Sequence, residues 1–167
     1  MTRHEFHHMH GQVMQIADLI YNGTPAPTVA DHVRLGHALL ASRMYAEAAH
    51  SFTEAIAADP ACADAHFGLA LALLQGKRPH RHGTATIRRV QDHLRAAAEL
   101  VEARVLELLV VEDDLLAWRR ASGQIPLHVM AMAMAMSAER ANLILMHVPA
   151  PEARTWRAIE LSTRQSR

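Results

Sequence analysis

The strongest constraint on the fold is a pattern of small and large residues between Val29 and Cys62. Gly36 and Ala48 lie in two stretches of helical composition that a short turn separates. Small residues at such positions let two antiparallel helices pack closely, while large apolar side chains fill the seam between them. We expect four side chains to fill this seam: Leu35, Leu39, Phe52 and Ile56. A hairpin of this kind leaves one face uncovered, so it needs a neighbour.

The pattern begins again directly after Cys62. The segment ADAHFGLALALLQG places three residues in the matching first-helix positions: Leu69, Ala70 and Leu73. The second helix of this copy comes late, because a basic, breaker-rich loop at residues 76–83 is inserted between the paired helices. The second-helix positions recur only after this loop, at Val90, Leu94 and Ala97.

The first copy, Val29–Cys62, resembles a tetratricopeptide repeat, whose period is about 34 residues. The family's signature positions are occupied, except that His32 replaces the opening tryptophan. The matching residues are Leu35, Gly36, Leu39, Tyr45, Ala48, Phe52, Ala55 and Pro60. The second copy, Ala63–Leu100, resembles a degenerate repeat that has no closing proline.

Composition favours helix in the rest of the chain. Ala, Leu, Glu and Arg dominate, and aromatic residues make up only 4% of the 167 residues. We therefore predict an all-α fold of tetratricopeptide-like hairpins with flanking N-terminal and C-terminal helices. A chain of this length is expected to form a single domain. Its predicted parts are an N-terminal capping helix over residues 1–23, two repeats over residues 29–100 and C-terminal helices over residues 101–167.

Two helix boundaries are of particular interest. Thr28 is followed three residues later by Asp31, a spacing that predicts a helix N-terminus. The stretch Thr84–Arg120 contains few breakers, so it is compatible with one long helix or with two abutting helices.

The resemblance also implies a binding surface. In tetratricopeptide repeats, the first helices of successive repeats line a concave groove that holds a peptide or a partner's helix. By register, the groove residues here are Val33, His37, Leu40, Phe67, Leu71 and Leu74. Val33 and His37 replace the lysine and asparagine with which some family members bind a C-terminal carboxylate. The mostly apolar groove would suit an amphipathic helix. Alternatively, the chain's own C-terminal helix or a second copy of the chain fills the groove.

Charge and cysteine content limit the partner classes. Lys+Arg and Asp+Glu number 17 each, so no net positive charge favours nucleic acid or an anionic membrane. Cys62 is the single cysteine, and neither a signal peptide nor an apolar run of membrane-spanning length is recognisable. We expect a cytoplasmic protein without a nucleic-acid or membrane partner.

The N-terminal segment HEFHHMHG contains His4, Glu5 and His8, the H-E-x-x-H pattern of zinc metalloproteases. A metal-dependent hydrolase or a metal carrier is therefore one alternative function. Against catalysis, Met14 stands where one variant of the motif has a third histidine, and only three residues precede the motif. A solvated helix end is the simpler interpretation, and metal binding by His4, His7 and His8 remains open.

Three further clusters have a structural and a functional interpretation. Met130, Met132, Met134 and Met136 could hold Cu(I) through their thioethers, but their helical spacing does not bring all four together, which favours packing. The acidic residues Glu112, Asp113 and Asp114 are expected to form a solvated face. The basic loop could contact an anion or acidic partner through Lys77, Arg78, His80, Arg81 and His82, but a solvated loop is the simpler expectation.

These patterns predict a non-enzymatic adaptor that binds a protein or peptide partner, or a second copy of itself. We predict no catalytic residue, no metal site and no cofactor. A further alternative is a secretion chaperone, because small repeat proteins of this length resemble bacterial chaperones whose groove shields an exported client.

Overall fold

The structure is a computed structural model that describes residues 27–116 and 124–165. The helices in chain order are α1 (Val29–Ala41), α2 (Tyr45–Ala58), α3 (Ala63–Leu74), a 3₁₀ turn (Pro79–Arg81), α4 (Thr84–Ala96), α5 (Val101–Leu116), α6 (Leu127–Ala135), α7 (Ala138–His147) and α8 (Arg154–Gln165). No strand occurs in these two ranges, and the all-α prediction is confirmed. The capping helix predicted over residues 1–23 lies outside the described residues.

The first five helices stack in chain order. Helices α1 and α2 form one hairpin, α3 and α4 form the next, and α2 packs against α3 between them. The inserted loop forms the 3₁₀ turn and packs against α5. The stretch after Thr84 contains two helices, because residues 97–100 form a turn between α4 and α5.

Helix α1 begins where the sequence predicts. The Thr28 hydroxyl accepts a hydrogen bond from the Asp31 amide at 3.2 Å, and the Asp31 carboxylate accepts one from the Thr28 amide at 3.0 Å. This reciprocal capping box satisfies two amide groups that the first turn of a helix cannot pair internally.

The ring of Phe52 lies between two glycines on neighbouring first helices. A β-carbon added to Gly36 would lie 2.6 Å from the ring of Phe52, and one added to Gly68 would approach the ring more closely still. The predicted close approach at Gly36 is therefore confirmed. The prediction for Leu35 is wrong: this residue is 53% exposed and does not fill the seam.

The remaining helices pack on the end of this stack. Helix α5 contacts α4 and α6, and α8 contacts α5, α6 and α7. Met130, Met132 and Met136 pack against the core, in line with the packing interpretation, whereas Met134 is exposed. Among the described residues, no single helix is long and apolar enough to cross a membrane. Helices α6 and α7 meet that test only as a pair, and the pair is bent by 112°.

Candidate functional site

The six residues predicted to line the groove lie on α1 and α3, as the register requires, but four of them are inaccessible. The side chains with 0% exposure are Leu40, Phe67, Leu71 and Leu74. Val33 and His37 are partly buried. Their role in partner binding stays a prediction, and any partner that used the four buried residues would first have to displace what covers them.

Arg140, near the start of α7, contacts this surface. Its Nη2 donates to the Asp64 carboxylate at 2.5 Å, and its Nε lies 3.4 Å from the Glu102 carboxylate on α5. Its guanidinium carbon also lies 5.7 Å from the centre of the Phe67 ring. These contacts place the N-terminal end of α7 against the first turns of α3, on the face that carries Phe67 and Leu71.

The other end of α7 contacts the first hairpin. Nδ1 of His147 lies 3.2 Å from the Tyr45 hydroxyl, and the two rings meet edge to face with their centres 5.7 Å apart. His147 has 0% exposure. Helix α7 therefore runs along the repeat surface from Asp64 towards Tyr45. A helix of the chain's own C-terminal part, α7, thus contacts α3 and Tyr45, whereas the last helix, α8, packs on α5, α6 and α7.

Several polar atoms at this contact are not satisfied. In the part of the chain that the structure describes, four buried side-chain nitrogen atoms have no hydrogen-bond partner. Three of them belong to residues at the contact between α7 and the repeats: His37 Nδ1, Arg140 Nη1 and His147 Nε2. A buried polar group without a partner costs about 1–3 kcal/mol. The interface between α7 and the repeats is thus less well matched than the apolar seams around it.

The two histidines at this contact favour the neutral form. Burial lowers the pKa of His37, and the nearby Arg140 lowers it further, against smaller opposing effects of Asp64 and Glu139. Burial also lowers the pKa of His147, with a smaller contribution from Arg43. Protonation of either ring would therefore place a poorly solvated positive charge at the interface.

The acidic cluster on α5 does not form a solvated face, so that prediction is wrong. Asp113 has 0% exposure, and its carboxylate accepts hydrogen bonds from the Arg78 side chain at 2.8 Å and from the His80 amide at 3.1 Å. The Glu112 carboxylate accepts hydrogen bonds from the amides of Arg154 and Thr155 at the start of α8. The side chain of Asp114 lies outside the described residues. These carboxylates bind the inserted loop and α8 to α5.

The inserted basic loop is correspondingly less solvated than predicted. Arg78 also pairs with Glu152 at 2.8 Å, whereas Lys77 and Arg81 are exposed. Lys77, Arg78 and Arg81 line a depression of about 590 Å³ together with Pro149 and Pro151. Because Arg78 is already paired with two carboxylates, Lys77 and Arg81 provide most of the positive charge there.

A pair of histidines joins α3 to α4 in the second hairpin, and the sequence patterns did not predict it. Nδ1 of His66 and Nδ1 of His93 lie 3.0 Å apart, and Nε2 of His66 lies 3.0 Å from the Pro60 carbonyl oxygen. A neutral His66 that donates from Nε2 must accept at Nδ1, so His93 is the donor of this pair. Burial lowers the pKa of His93, and the neighbouring His66 lowers it further.

Residues 27–116 and 124–165 contain no group of three or more His, Cys, Asp or Glu side chains that could hold a metal ion. The H-E-x-x-H segment with His4, Glu5, His7 and His8 lies outside the described residues, so its metal binding stays untested.

Comparison with known families agrees with the geometry of the hairpins. Residues 33–81 match the family model of the tetratricopeptide repeat. The match supports the resemblance of this segment to a tetratricopeptide repeat. The match runs from α1 to the 3₁₀ turn and covers less than a third of the chain. It includes most of the first copy and the first helix of the second. No curated protein and no solved structure matches the chain significantly.

Proposed function

We propose that this chain is a non-enzymatic adaptor that binds a helix or peptide of a partner protein on the concave surface of α1 and α3. Tetratricopeptide repeats in general mediate protein–protein interaction. The match to that family at residues 33–81 supports the general role, and the geometry of the two hairpins supports the choice of surface.

The main support for this choice of binding surface is the position of α7. Helix α7 of this chain lies against α3 through Arg140 and Asp64, and against the start of α2 through His147 and Tyr45. A surface that accommodates one helix has the shape and the polar groups to accommodate another of similar chemistry.

The test is affinity capture from native lysate with the full chain as bait, followed by mass determination of the complex. Val33→Arg adds a charge at the partly buried groove residue of α1, and Ala38→Arg adds the same charge at an exposed position of the same helix. We expect a captured protein to be lost with Val33→Arg and kept with Ala38→Arg. Equal capture by the two variants, or no capture by the unmodified chain, would contradict the proposal.

The same preparation separates this proposal from its alternatives. A native mass of twice the chain mass, without a second protein, would identify self-association. Metal analysis of untagged protein tests the hydrolase or carrier alternative: stoichiometric zinc or copper that disappears in a His4→Ala/His8→Ala variant would favour it. Cytoplasmic location is part of the proposal, and fractionation of the native host tests it. A secretion chaperone is a further alternative, which identification of the captured protein would test.

A further inference from the structure

Helix α7 is held on the repeat surface by a small set of contacts. It has ten residues, and only three of them are buried: Ala141, Ile144 and His147. Ile144 is the single large aliphatic side chain among the three. By contrast, α3 buries ten of its twelve residues. Leu143 and Leu145 are partly buried and also pack against the core, so α7 has one fully buried large aliphatic side chain and two that are only partly covered.

The polar contacts of α7 are partly open to solvent. The side chains of Arg140 and Asp64 are 24% and 40% exposed, so water competes with their ion pair. At the other end, His147 pairs with the Tyr45 hydroxyl through one ring nitrogen and leaves the other without a partner. A ligand that supplied hydrogen-bond partners for these nitrogens, or that lacked such unpaired nitrogens, would bind more favourably than α7 does.

The contact residues follow a helical stripe. Arg140, Ile144 and His147 are separated by four and then three residues, a spacing that places them on one face of a helix. Each of the three has its own counterpart on the repeat side or in the core: an acidic pair for the arginine, the apolar cluster for the isoleucine, and Tyr45 for the histidine. One end of the surface therefore binds an arginine, and the other end binds a ring that can form a hydrogen bond.

We propose that α7 is a replaceable ligand in cis, and that the partner presents an amphipathic helix with the same stripe: an arginine, an aliphatic residue four positions later, and a hydrogen-bonding ring three positions after that. This inference rests on the proposed function. The partner helix binds with its arginine between Asp64 and Glu102 and displaces α7. Because α7 is tethered, it competes at a high effective concentration, and the free surface is available only to a partner that outcompetes it.

The experiment uses a fluorescent peptide of residues 137–150 and the full-length chain. In the unmodified chain, the tethered α7 blocks the peptide. In Arg140→Glu, α7 loses its pairing with Asp64 and Glu102 and is repelled by both, so we expect the peptide, which keeps its arginine, to bind at least about tenfold more tightly. Arg164→Glu changes an exposed arginine that pairs within α8, and it should leave the weak binding unchanged.

A charge exchange makes the test specific for the proposed site. Asp64→Arg/Arg140→Glu restores the cis pairing at position 64 with reversed signs and places a positive charge against the arginine of the peptide, so the peptide should again bind weakly. The milder Arg140→Gln keeps the stem of the side chain over Phe67 and serves if Arg140→Glu does not fold; it should give a smaller gain of the same sign. Hydrogen exchange should show that the peptide removes protection from α7 amides and not from α2.

Two results would overturn the inference: folded Arg140→Glu and Arg140→Gln chains that bind the peptide no better than the unmodified chain, or tighter binding that persists in Asp64→Arg/Arg140→Glu. If either occurs while the unmodified chain still captures a partner that Val33→Arg loses, the cis-ligand inference fails and the proposed function stands. If no partner is captured by any variant, the proposed function fails.

Discussion

The guanidinium of Arg78 donates two hydrogen bonds to Oδ1 of Asp113, at 3.2 Å and 2.8 Å, although the two residues are 35 positions apart. The other oxygen of Asp113 accepts from the amide and lies 2.8 Å from the ring Nδ1 of His80. A single buried carboxylate therefore fixes the inserted loop to α5.

Asp113→Ala should destabilise the protein strongly. The change leaves Arg78 and the His80 amide without the partner that offsets their burial, and breaking a buried pair costs about 3–5 kcal/mol, less here because Arg78 is one quarter exposed. We expect a loss of about 2–4 kcal/mol in the free energy of unfolding, measured by urea denaturation. Asp92→Ala, which removes an exposed aspartate paired with Arg95, is the control and should cost less than about 1 kcal/mol. Similar losses in the two variants would contradict this account of the loop.

Gly68→Ala should be destabilising, although alanine is the better helix former by about 1 kcal/mol. The added methyl group overlaps the ring of Phe52, and overpacking of this kind costs about 1–3 kcal/mol. Adding Phe52→Leu should recover part of the loss, which a double-mutant cycle would report as a coupling of at least about 0.5 kcal/mol. Gly83→Ala is the control, since nothing lies within 4 Å of the added carbon. Additive effects at positions 52 and 68 would show that the ring of Phe52 and Gly68 do not determine the spacing between the two hairpins.

Acidification should lower stability. Burial lowers the pKa values of His37, His93 and His147 from the ordinary 6.5, so the unfolded chain takes up protons at a higher pH than the folded chain. The contribution of these residues is present above pH 6.5 and is lost as the pH falls below it towards the lowered values. We expect the urea midpoint to decrease between about pH 7.5 and about pH 5.5. The urea midpoint of His147→Gln should decrease less over this range. The midpoint of His50→Gln, a variant at an exposed position of α2, should decrease as much as that of the unmodified chain.

Glu112→Ala should loosen α8. Burial raises the pKa of Glu112, but hydrogen bonds from Arg154 and Thr155 outweigh it and lower the pKa overall, so the carboxylate is ionised at neutral pH. Loss of these charge-assisted hydrogen bonds should cost about 1.5–3 kcal/mol in unfolding free energy. Hydrogen exchange should accelerate first in the amides at the start of α8. Glu99→Ala, at an exposed turn position, is the matched control and should stay within about 0.5 kcal/mol of the unmodified chain.

The sequence predicts those parts of the structure that depend on neighbours along the chain. The capping box of Thr28 and Asp31 spans three residues, and the hairpin of α1 and α2 follows from the small residues Gly36 and Ala48. Such signals are visible in one chain because the interacting residues lie within one or two helices of each other. The family match at residues 33–81 covers most of this hairpin, and the capping box precedes it.

The sequence does not predict contacts between distant segments. An aspartate in a helix has the same local pattern whether it is solvated or pairs with a distant arginine, so the pattern predicts a solvated face for Asp113. The covering of the groove is a similar case, because Tyr45 and His147 are 102 positions apart and no local periodicity relates them. The sequence therefore places the groove residues in register and leaves open which segment covers them.

The position of Phe52 has a consequence for how far this array can extend. One ring occupies the space left by a glycine on each side, so a further unit of the same kind would need its own aromatic residue on the second helix and its own glycine on the next first helix. Helix α4 instead faces the core with the aliphatic side chains of Val90 and Leu94, and α5 contains no glycine. The arrangement that sets the distance between the first two hairpins therefore ends at α4, and the helices beyond it pack on one another and on the end of the stack.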